Sequence, residues 1–500
     1  MRPACSLEAA YTFKHALTHE VAYSSLLLER RRVLHARLVA AIEAPAPERV
    51  AEVASGWSPD QVERLAHHAL RGEVWDKAVT YCQQAGARAF DHAAFREAVA
   101  AFEQTLQALA HLPERGDTRV LALALHLALA RAQLQLGEYG RSFALLGEAE
   151  SLARMLNDRA QLVRVLAEMA VVLRVTGDLD SAIAAGQQGL ALAAELGESA
   201  LQVEASQRLG EAYYAIGDFS RAVELLRRNV GTADREFGTP GTGVRLRAQA
   251  WLARTLGALG AFAEGRRHAE EALRLATLEG RGVIPIVVYA CLGYLYLAQG
   301  DLEQAIRMFD QGLALCRASG SRDWLRPIAV GLGYASALQG RLAEGRALLE
   351  EGISESLRTG GLQGNAYRIA WLSEVCRLAG RSEEAWQHAR QALDLARQQK
   401  ERANEALALH QLGVVQAHAD PAETAPAEAH YRQALALAEE LGMRPLQAHC
   451  HSGLGMLYAA TGPPEQARAV LATAVNLYRT MEMTLWLPQT EAALAQVEGR

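Results

Sequence analysis

The sequence predicts an all-α fold, a solenoid built from repeated helical hairpins. A glycine-containing phrase recurs at nearly constant spacing from Gly137 to Gly462, and such a period indicates a repeat array. Half of the residues are hydrophobic but only 6% are aromatic, so Ala and Leu, both strong helix formers, carry the apolar content. Period-2 alternation of β-branched and aromatic residues is nearly absent, which excludes a substantial sheet. A chain of 500 residues exceeds one compact core, whereas an array can grow by adding units.

The repeated phrases include TGDLDSAIAAG, IGDFSRAVELL and QGDLEQAIRMF. Their turn glycines, and those of the related phrases, are Gly137, Gly177, Gly217, Gly260, Gly300, Gly340, Gly380 and Gly462. Successive glycines are 40, 40, 43, 40, 40, 40 and 82 residues apart. The last step spans two repeats, and in the hidden one the loop AHADPAETAP at 417–426 replaces the glycine turn.

Each unit predicts a helix, a glycine turn and a second helix. Gly217 ends a first helix, because glycine accepts the left-handed conformation at a helix C-terminus. Asp218 then caps the second helix by accepting a backbone N–H bond. The small residues Gly210 and Ala222 allow the two helices to approach closely, and Tyr213 fills the space beside them.

The order Gly-x-x-Tyr-x-x-x-Gly-x-x-x-x-Ala is found at 210–222, 293–305 and 455–467. This spacing resembles the tetratricopeptide repeat, whose usual period is about 34 residues. The longer period here implies helices longer by about one turn, a form similar to the repeats of large bacterial signalling ATPases and transcription regulators. The resemblance implies a right-handed α-α superhelix of about ten hairpins over residues 61–482. We expect residues 483–500 to form a capping helix.

The first sixty residues break the period. Residues 11–28 read YTFKHALTHEVAYSSLLL, and ERLAHHALRGEVWDKAVTYCQQAGARA begins at Glu63. Both phrases resemble the end of the ATPase module, and the start of the repeat tail, in bacterial STAND-type signalling proteins. Those proteins often carry a class III adenylate or guanylate cyclase domain, or a DNA-binding domain. The resemblance implies that residues 1–60 are a helical or winged-helix remnant of an NTPase module plus a linker.

The catalytic parts of such proteins are missing from the sequence. A phosphate-binding loop needs a lysine directly after a glycine, and the three lysines, Lys14, Lys77 and Lys400, follow Phe, Asp and Gln. No paired aspartates of a cyclase are recognisable. We therefore expect no catalytic residue and no cofactor, and predict that the chain is not an enzyme. By resemblance, His15 matches a histidine that reports on bound nucleotide; the alternative is a structural role.

Several groups could suggest a metal or an anionic partner. His15 and His19 share a helical face, and His67–His68 and His449–Cys450–His451 are adjacent pairs or triplets, but none has an evident third ligand. We expect no metal. Arg30–Arg32 could bind an anionic partner or dock against another domain, and the alternative is a solvated helix face. The net charge is −6, and acidic and basic residues alternate along the chain without forming blocks. Both observations argue against a nucleic-acid partner.

The cellular setting is predicted from cysteines and hydropathy. Six cysteines are scattered without paired spacing, as expected in a reducing cytoplasm. The most apolar stretch, 283–298, is interrupted by Pro285 and Gly293, and we interpret it as a buried helix pair rather than a membrane span. We therefore expect a cytoplasmic protein that contacts no membrane.

The concave face of the array is the predicted binding groove. Its candidates lie one and four positions beyond the signature glycine or its equivalent: Glu211, Tyr214, Tyr294, Tyr334, Glu374 and Arg377. Arg and aromatic side chains commonly anchor interfaces. The alternative is that these tyrosines pack against the neighbouring repeat.

These observations favour a regulatory scaffold of a bacterial signalling system that binds a peptide, a protein or a small effector in the groove. The alternative is the C-terminal part of a larger cyclase, ATPase or transcription regulator whose catalytic or DNA-binding domain lies upstream. The sequence predicts neither the identity of the partner nor the oligomeric state.

Overall fold

The computed structural model describes residues 23–44, 57–236, 242–279, 282–419, 424–462 and 464–499. Within these ranges the chain forms α-helices and no β-strand. The helices are α1 (Leu28–Glu43), α2 (Pro59–Arg71), α3 (Trp75–Asp91), α4 (Phe95–Leu109), α5 (Gly116–Gln135), α6 (Tyr139–Met155), α7 (Arg159–Thr176), α8 (Leu179–Leu196), α9 (Ser199–Ile216), α10 (Phe219–Glu236), α11 (Thr242–Ala258), α12 (Phe262–Glu279), α13 (Ile284–Gln299), α14 (Leu302–Ser319), α15 (Arg322–Leu338), α16 (Leu342–Thr359), α17 (Asn365–Leu378), α18 (Ser382–Gln398), α19 (Arg402–Ala419), α20 (Thr424–Glu440), α21 (Arg444–Thr461), α22 (Pro464–Thr480) and α23 (Leu487–Glu498). The predicted all-α repeat fold is confirmed.

The chain divides into two compact units, one of residues 1–88 and 98–125 and the other of 89–97 and 126–500. In the first unit, α1 packs against α2 and buries His35 and Val39. A capping box starts α2, since the Ser58 hydroxyl accepts from Gln61 N–H at 3.4 Å and the Gln61 side chain accepts from Ser58 N–H at 3.0 Å. Such reciprocal bonds satisfy donors that a helix start leaves free.

In the second unit, each helix from α7 to α22 packs against the next one, and each odd-numbered helix also packs against the next odd-numbered helix. The odd-numbered helices therefore form an inner layer, and the even-numbered helices cover its outside. Helix α23 follows as the last helix and packs on α22 and α21.

The turn between paired helices follows the prediction closely. Gly217 has φ +96° and ends α9, and the Asp218 carboxylate accepts from Arg221 N–H at 3.2 Å at the start of α10. A Cβ on Gly210 would stand 3.2 Å from Leu226 and 3.7 Å from the Ala222 carbonyl. The close helix approach therefore depends on the small residues that the sequence places there.

One turn glycine differs from the others. The seven from Gly137 to Gly380 have φ between +73° and +96°, but Gly462 has φ −123° and ψ −174°. Pro463 follows Gly462 in the sequence, and a residue before proline is restricted to extended backbone. The final hairpin therefore turns without a left-handed glycine.

The apolar stretch at 283–298 was predicted to be a helix pair, and this is wrong: it forms the single helix α13. Pro285 lies in the first turn, where its missing N–H needs no partner. Gly293 lies mid-helix because an added Cβ would stand 2.5 Å from the Phe309 ring. Of the helices that the structure describes, none is both long and apolar enough to cross a membrane.

The inner layer of the second unit coils back on itself. Gln363 N–H donates to the Val175 carbonyl at 3.1 Å, and Tyr139 Oη donates to Asp323 at 3.0 Å. Arg266 pairs with Glu482 at 2.8 Å. The side-chain bonds between coils join residues that are 184 to 220 positions apart in the sequence, which corresponds to about five repeats. Successive coils therefore touch at these points.

Candidate functional site

The interior of the second unit is lined with charged and aromatic side chains, where a simple packed core would place Leu and Ala. Three groups of side chains share this interior. We name them the charged segment (Arg131, Glu168, Arg208, Glu211 and Arg247), the arginine cavity (Arg174, Arg254, Arg326 and Arg368) and the aromatic segment (Tyr334, Trp371, His410, His449 and Trp486).

Glu211 is the centre of the charged segment and is fully buried. Its carboxylate accepts from Arg247 at 2.7 Å and lies 3.5 Å from Arg208 and 3.6 Å from Arg174. Burial alone would raise the pKa of Glu211, but Arg247, Arg208 and Arg174 together lower it to about 2. The carboxylate is therefore ionised and fixed among three guanidinium groups.

Glu168 repeats the arrangement one repeat earlier. It is 4% exposed and accepts from Arg131 at 3.0 Å and from Arg208 at 3.2 Å. Burial favours the neutral acid, but Arg131, Arg208 and Arg247 outweigh it and lower the pKa of Glu168. Arg208 thus bridges the two carboxylates, and the charged segment is internally paired.

Arg254 joins two predicted groove residues. Its Nε donates to Tyr214 Oη at 3.0 Å, and its guanidinium carbon lies 4.0 Å from the centre of the Tyr294 ring. Tyr294 Oη donates to the Pro327 carbonyl at 2.8 Å and lies 2.9 Å from Tyr367 Oη. An arginine held over aromatic faces gains cation–π attraction, more so where water is excluded.

The aromatic segment begins where Tyr334 stacks on Trp371, with ring centres 4.4 Å apart and an angle of 4° between the planes. Tyr334 Oη donates to Glu374 at 2.6 Å. All three side chains, and that of Arg377, are half-buried. The buried Nε of Arg377 has no hydrogen-bond partner in the described structure. This part of the interior therefore offers aromatic and charged atoms to solvent.

Two histidines continue the aromatic segment. The ring of His449 lies 6.0 Å from His410 and 4.6 Å from Trp486, and its Nδ1 is 2.8 Å from Tyr478 Oη. Burial lowers the pKa of His410 to about 4 and that of His449 to about 3. Both rings are therefore neutral at pH 7.

The arginine cavity encloses about 40 Å³. Among the described residues that line it, four carry guanidinium groups and Asp323 alone carries a carboxylate, and Tyr214, Trp251 and Tyr367 form aromatic walls. A space of this size takes a few water-sized groups.

The structure places all six predicted groove residues on the interior. It joins Tyr334 to Glu374 directly and Tyr214 to Tyr294 through Arg254. Glu211 is fully buried and Tyr294 is 9% exposed; the other four are half-buried. The prediction that they form a concave recognition surface remains a prediction.

Sequence reasoning missed most of the arginine cavity and Trp371. Arg254 lies one position beyond Ala253, the equivalent of a signature glycine, so the same rule applied there would have found it. Trp371 and Tyr367 lie three and seven positions before Glu374, and Arg326 lies eight before Tyr334. Such spacings share one helix face, so extending the stripe by two turns would have identified them.

The remaining predicted groups behave differently. His15 and His19 lie outside the described residues. His67 and His68 gather with His35, whose Nδ1 lies 2.8 Å from that of His68. Among the residues that the structure describes, no group of three or more His, Cys, Asp or Glu side chains is arranged to hold a metal ion.

Arg30–Arg32 lie at the start of α1. Arg31 donates to the Leu26 and Ser24 carbonyls, and Arg32 pairs with Glu73 at 2.9 Å. Part of this basic run is thus engaged within its own unit.

Family models of the tetratricopeptide repeat match residues 205–238, 245–318, 328–351 and 448–473. The chain therefore contains tetratricopeptide repeats, as the glycine and tyrosine spacing predicted. This class of fold typically serves as a non-catalytic scaffold. No curated protein sequence matches the chain.

Solved structures of similar fold include a Rap protein complexed with competence and sporulation factor, which is 14% identical, has a TM-score of 0.52 and covers 73% of this chain and 99% of its own. The apo quorum sensor NprR from B. thuringiensis is 14% identical with a TM-score of 0.44, covering 72% and 99%. A STAND protein with a tetratricopeptide repeat sensor from Pyrococcus horikoshii is 13% identical with a TM-score of 0.41, covering 88% and 74%. At 14% identity the likeness to the Rap protein shows the fold alone.

Proposed function

We propose that the chain is a regulatory binding scaffold of a bacterial signalling system, and that it recognises a peptide or a segment of a protein through the aromatic segment with Glu374 and Arg377. The observation that carries the proposal is the half-buried Tyr334–Trp371 stack beside a carboxylate and an incompletely bonded guanidinium. Trp, Tyr and Arg dominate the energetics of interfaces. We place recognition in the aromatic segment and not in the charged segment, because the carboxylates and guanidinium groups of the charged segment already bond to one another.

The scaffold works by shape and side-chain contacts, without chemistry of its own. An extended peptide would lay an apolar or aromatic side chain on Trp371 and place a carboxylate near Arg377. The Rap protein of similar fold was solved with a bound factor, so an array of this architecture has room for a second molecule.

The test is a displayed peptide library selected on the wild-type chain, followed by binding measurements on Trp371→Ala and Arg377→Ala. We expect each change to weaken the selected peptides tenfold or more. Arg358→Ala is the matched control, because Arg358 is half exposed on α16 and, among the described residues, its ion pair is with Glu355 on its own helix. If the selected peptides bind the wild type, the two segment variants and the control with equal affinity, the aromatic segment is not the recognition surface.

We propose as a second role that the chain is the sensor part of a longer signalling protein, with an NTPase, a cyclase or a DNA-binding domain upstream. The resemblance of residues 11–110 to STAND proteins supports this role, together with the predicted boundaries at residues 60 and 482. A C-terminal tag at the chromosomal gene and a blot of whole lysate would test it. A band near the 54.1 kDa of this chain would contradict it, and a much larger band would support it.

A further inference from the structure

The arginine cavity carries more positive charge than its own side chains neutralise. It lies where α7, α11, α15 and the start of α17 meet in the second unit. Arg174 shares Glu211 with two other arginines, and Arg326 pairs with Asp323 at 3.3 Å. Among the described residues, Arg254 and Arg368 have no carboxylate within ion-pair distance.

The hydrogen-bond partners of those two arginines are neutral. The buried carboxyl of Glu401 interacts electrostatically with Arg368 but forms no ion pair with it, and burial raises the pKa of Glu401. Arg368 donates to Asn365 at 2.7 Å and to the Ser356 hydroxyl at 2.9 Å. Arg254 donates to Tyr214 and lies over aromatic rings. Buried charge without a counter-charge is strongly unfavourable, and Arg254 and Arg368 are only 8% and 3% exposed.

Hydrogen-bond donors around the cavity are also left without partners. The Nε–H groups of Arg174, Arg326 and Arg368 and the indole Nε1–H of Trp251 are buried and donate to no acceptor in the described structure. These four residues are 3–6% exposed, and all of them line the cavity. Buried donors are normally satisfied, so four unsatisfied donors around one cavity indicate a missing acceptor.

We propose that the cavity binds a small oxyanion, with free inorganic phosphate as the ligand. Guanidinium groups match the geometry of phosphate oxygens and bind them through charge-assisted hydrogen bonds. The anion would supply the counter-charge that Arg254 and Arg368 lack and the acceptors that the four orphaned donors lack. A cavity of about 40 Å³ is too small for a peptide, and three of its lining residues, Tyr214, Pro327 and Gln363, are half-buried.

Such a site would couple anion binding to the coiling of the array. Arg326 bonds Tyr139 at 2.7 Å, and the backbone of Gln363 bonds that of Val175, so the cavity wall includes the contact between successive coils. Phosphate would hold the coils together from within. This inference does not rest on the proposed peptide surface, because Trp371 and Arg377 are not part of the cavity.

The experiment compares thermal unfolding in sodium phosphate and in sodium chloride at equal ionic strength, after exhaustive dialysis into a phosphate-free buffer. We expect the wild-type midpoint to rise and to saturate with phosphate, as binding to the folded state requires. Phosphate also stabilises proteins non-specifically, but that effect grows without saturation. Calorimetric titration with inorganic phosphate gives the affinity directly.

Arg254→Met and Arg368→Met remove the uncompensated charges with little change in shape. We expect each to weaken phosphate binding tenfold or more, while the midpoint without phosphate stays the same or rises because a buried unpaired charge is gone. Arg307→Met, at an exposed i,i+4 pair on α14, should keep the full response.

Two results would overturn the proposal. One is a phosphate response of the wild type that is absent or unsaturable, as expected of a cavity filled by water. The other is a saturable response that Arg254→Met and Arg368→Met retain unchanged. Should either variant fail to fold, phosphorus NMR of inorganic phosphate provides a second measurement. The proposal predicts that the wild-type chain broadens the phosphate resonance and that Arg368→Gln does not. Equal broadening by both chains would overturn it.

Discussion

The charged segment and the aromatic segment occupy equivalent positions on successive odd-numbered helices, yet they are opposite in character. In the charged segment, Glu168 and Glu211 are buried and each is bonded to two or more arginines. In the aromatic segment, Trp371 and His410 are half-buried and offer ring faces. One repeat architecture therefore builds charged side chains that pair with one another at one end and stacked aromatic side chains at the other. The side chains that the sequence places on the inner face of the odd-numbered helices decide whether a charged or an aromatic segment forms.

The largest effect is expected at Glu211, the carboxylate at the centre of the charged segment. Glu211→Ala leaves Arg174, Arg208 and Arg247 without their shared carboxylate, and we expect a loss of about 3–5 kcal/mol in the free energy of unfolding. Urea unfolding at pH 7 measures it. Glu303→Ala is the control, since the Glu303 side chain is 83% exposed, and it should change stability by less than about 0.5 kcal/mol. A Glu211 variant as stable as the control would show that the charged segment is not a paired structure.

The two segments should also lose stability in different pH ranges. The folded pKa values of about 3 for His449 and about 4 for His410 lie below the ordinary value of 6.5. The unfolded chain therefore binds protons that the folded chain does not, and stability falls as pH drops from about 6.5 towards 4. The folded pKa of Glu211, about 2, lies below its ordinary 4.5, so its contribution is lost only as pH falls from about 4.5 to 2.

Replacing both His410 and His449 tests the stability loss that is expected as pH falls from about 6.5 towards 4. We expect His410→Gln/His449→Gln to remove about 4 kcal/mol of the stability loss between pH 7 and pH 5, or about 2 kcal/mol for each ring, measured by urea unfolding at the two values. His418→Gln, at an exposed position, should leave that loss intact. An unchanged pH profile in the double variant would mean that the rings are not held neutral by the fold.

Turn glycines provide a smaller and sharper contrast. Gly340 has φ +93° with no atom within 4 Å of an added Cβ, so Gly340→Ala should cost about 1–2 kcal/mol from backbone strain alone. Gly462 is extended, and Gly462→Ala should stay within about 0.5 kcal/mol of the wild type. Equal costs at the two sites, by urea unfolding, would contradict the difference in backbone conformation.

The smallest effect is expected on the outside. Lys400 pairs with Asp180 across neighbouring coils, but their side chains are 68% and 62% exposed. Lys400→Ala should leave the melting temperature unchanged, because exposed pairs are screened by solvent and salt. A clear drop would show that the coils are held together by their surfaces more than by their interior.

The repeat period predicts much of the interior once it is applied across neighbouring helices. Tyr334 and Glu374, like Tyr214 and Arg254, are 40 residues apart, and Glu211 and Arg247 are 36 apart. Residues one period apart on adjacent odd-numbered helices face each other, so these pairs follow from the sequence. The turns follow likewise, apart from Gly462, where the proline after it overrides the glycine.

The coil contacts could not be predicted in the same way. The bonds of Tyr139 to Asp323 and Arg326 span 184 and 187 residues. They depend on a small rotation between neighbouring hairpins that accumulates over about five repeats, and no local pattern reports that rotation. The predicted groove residues Glu211 and Tyr294 are buried, although the spacing that selected them predicted a concave face.

The backbone bond from Gln363 to Val175 has a consequence for how the array can change in length. An open repeat array behaves as a one-dimensional stack, in which units melt from the ends and can be added or deleted singly. Here a deleted hairpin would shift every later partner by one period of 40 residues, so that Tyr139 would no longer meet Asp323. The second unit is therefore expected to unfold in one cooperative transition, and its number of repeats is constrained as tightly as the number of strands in a closed barrel.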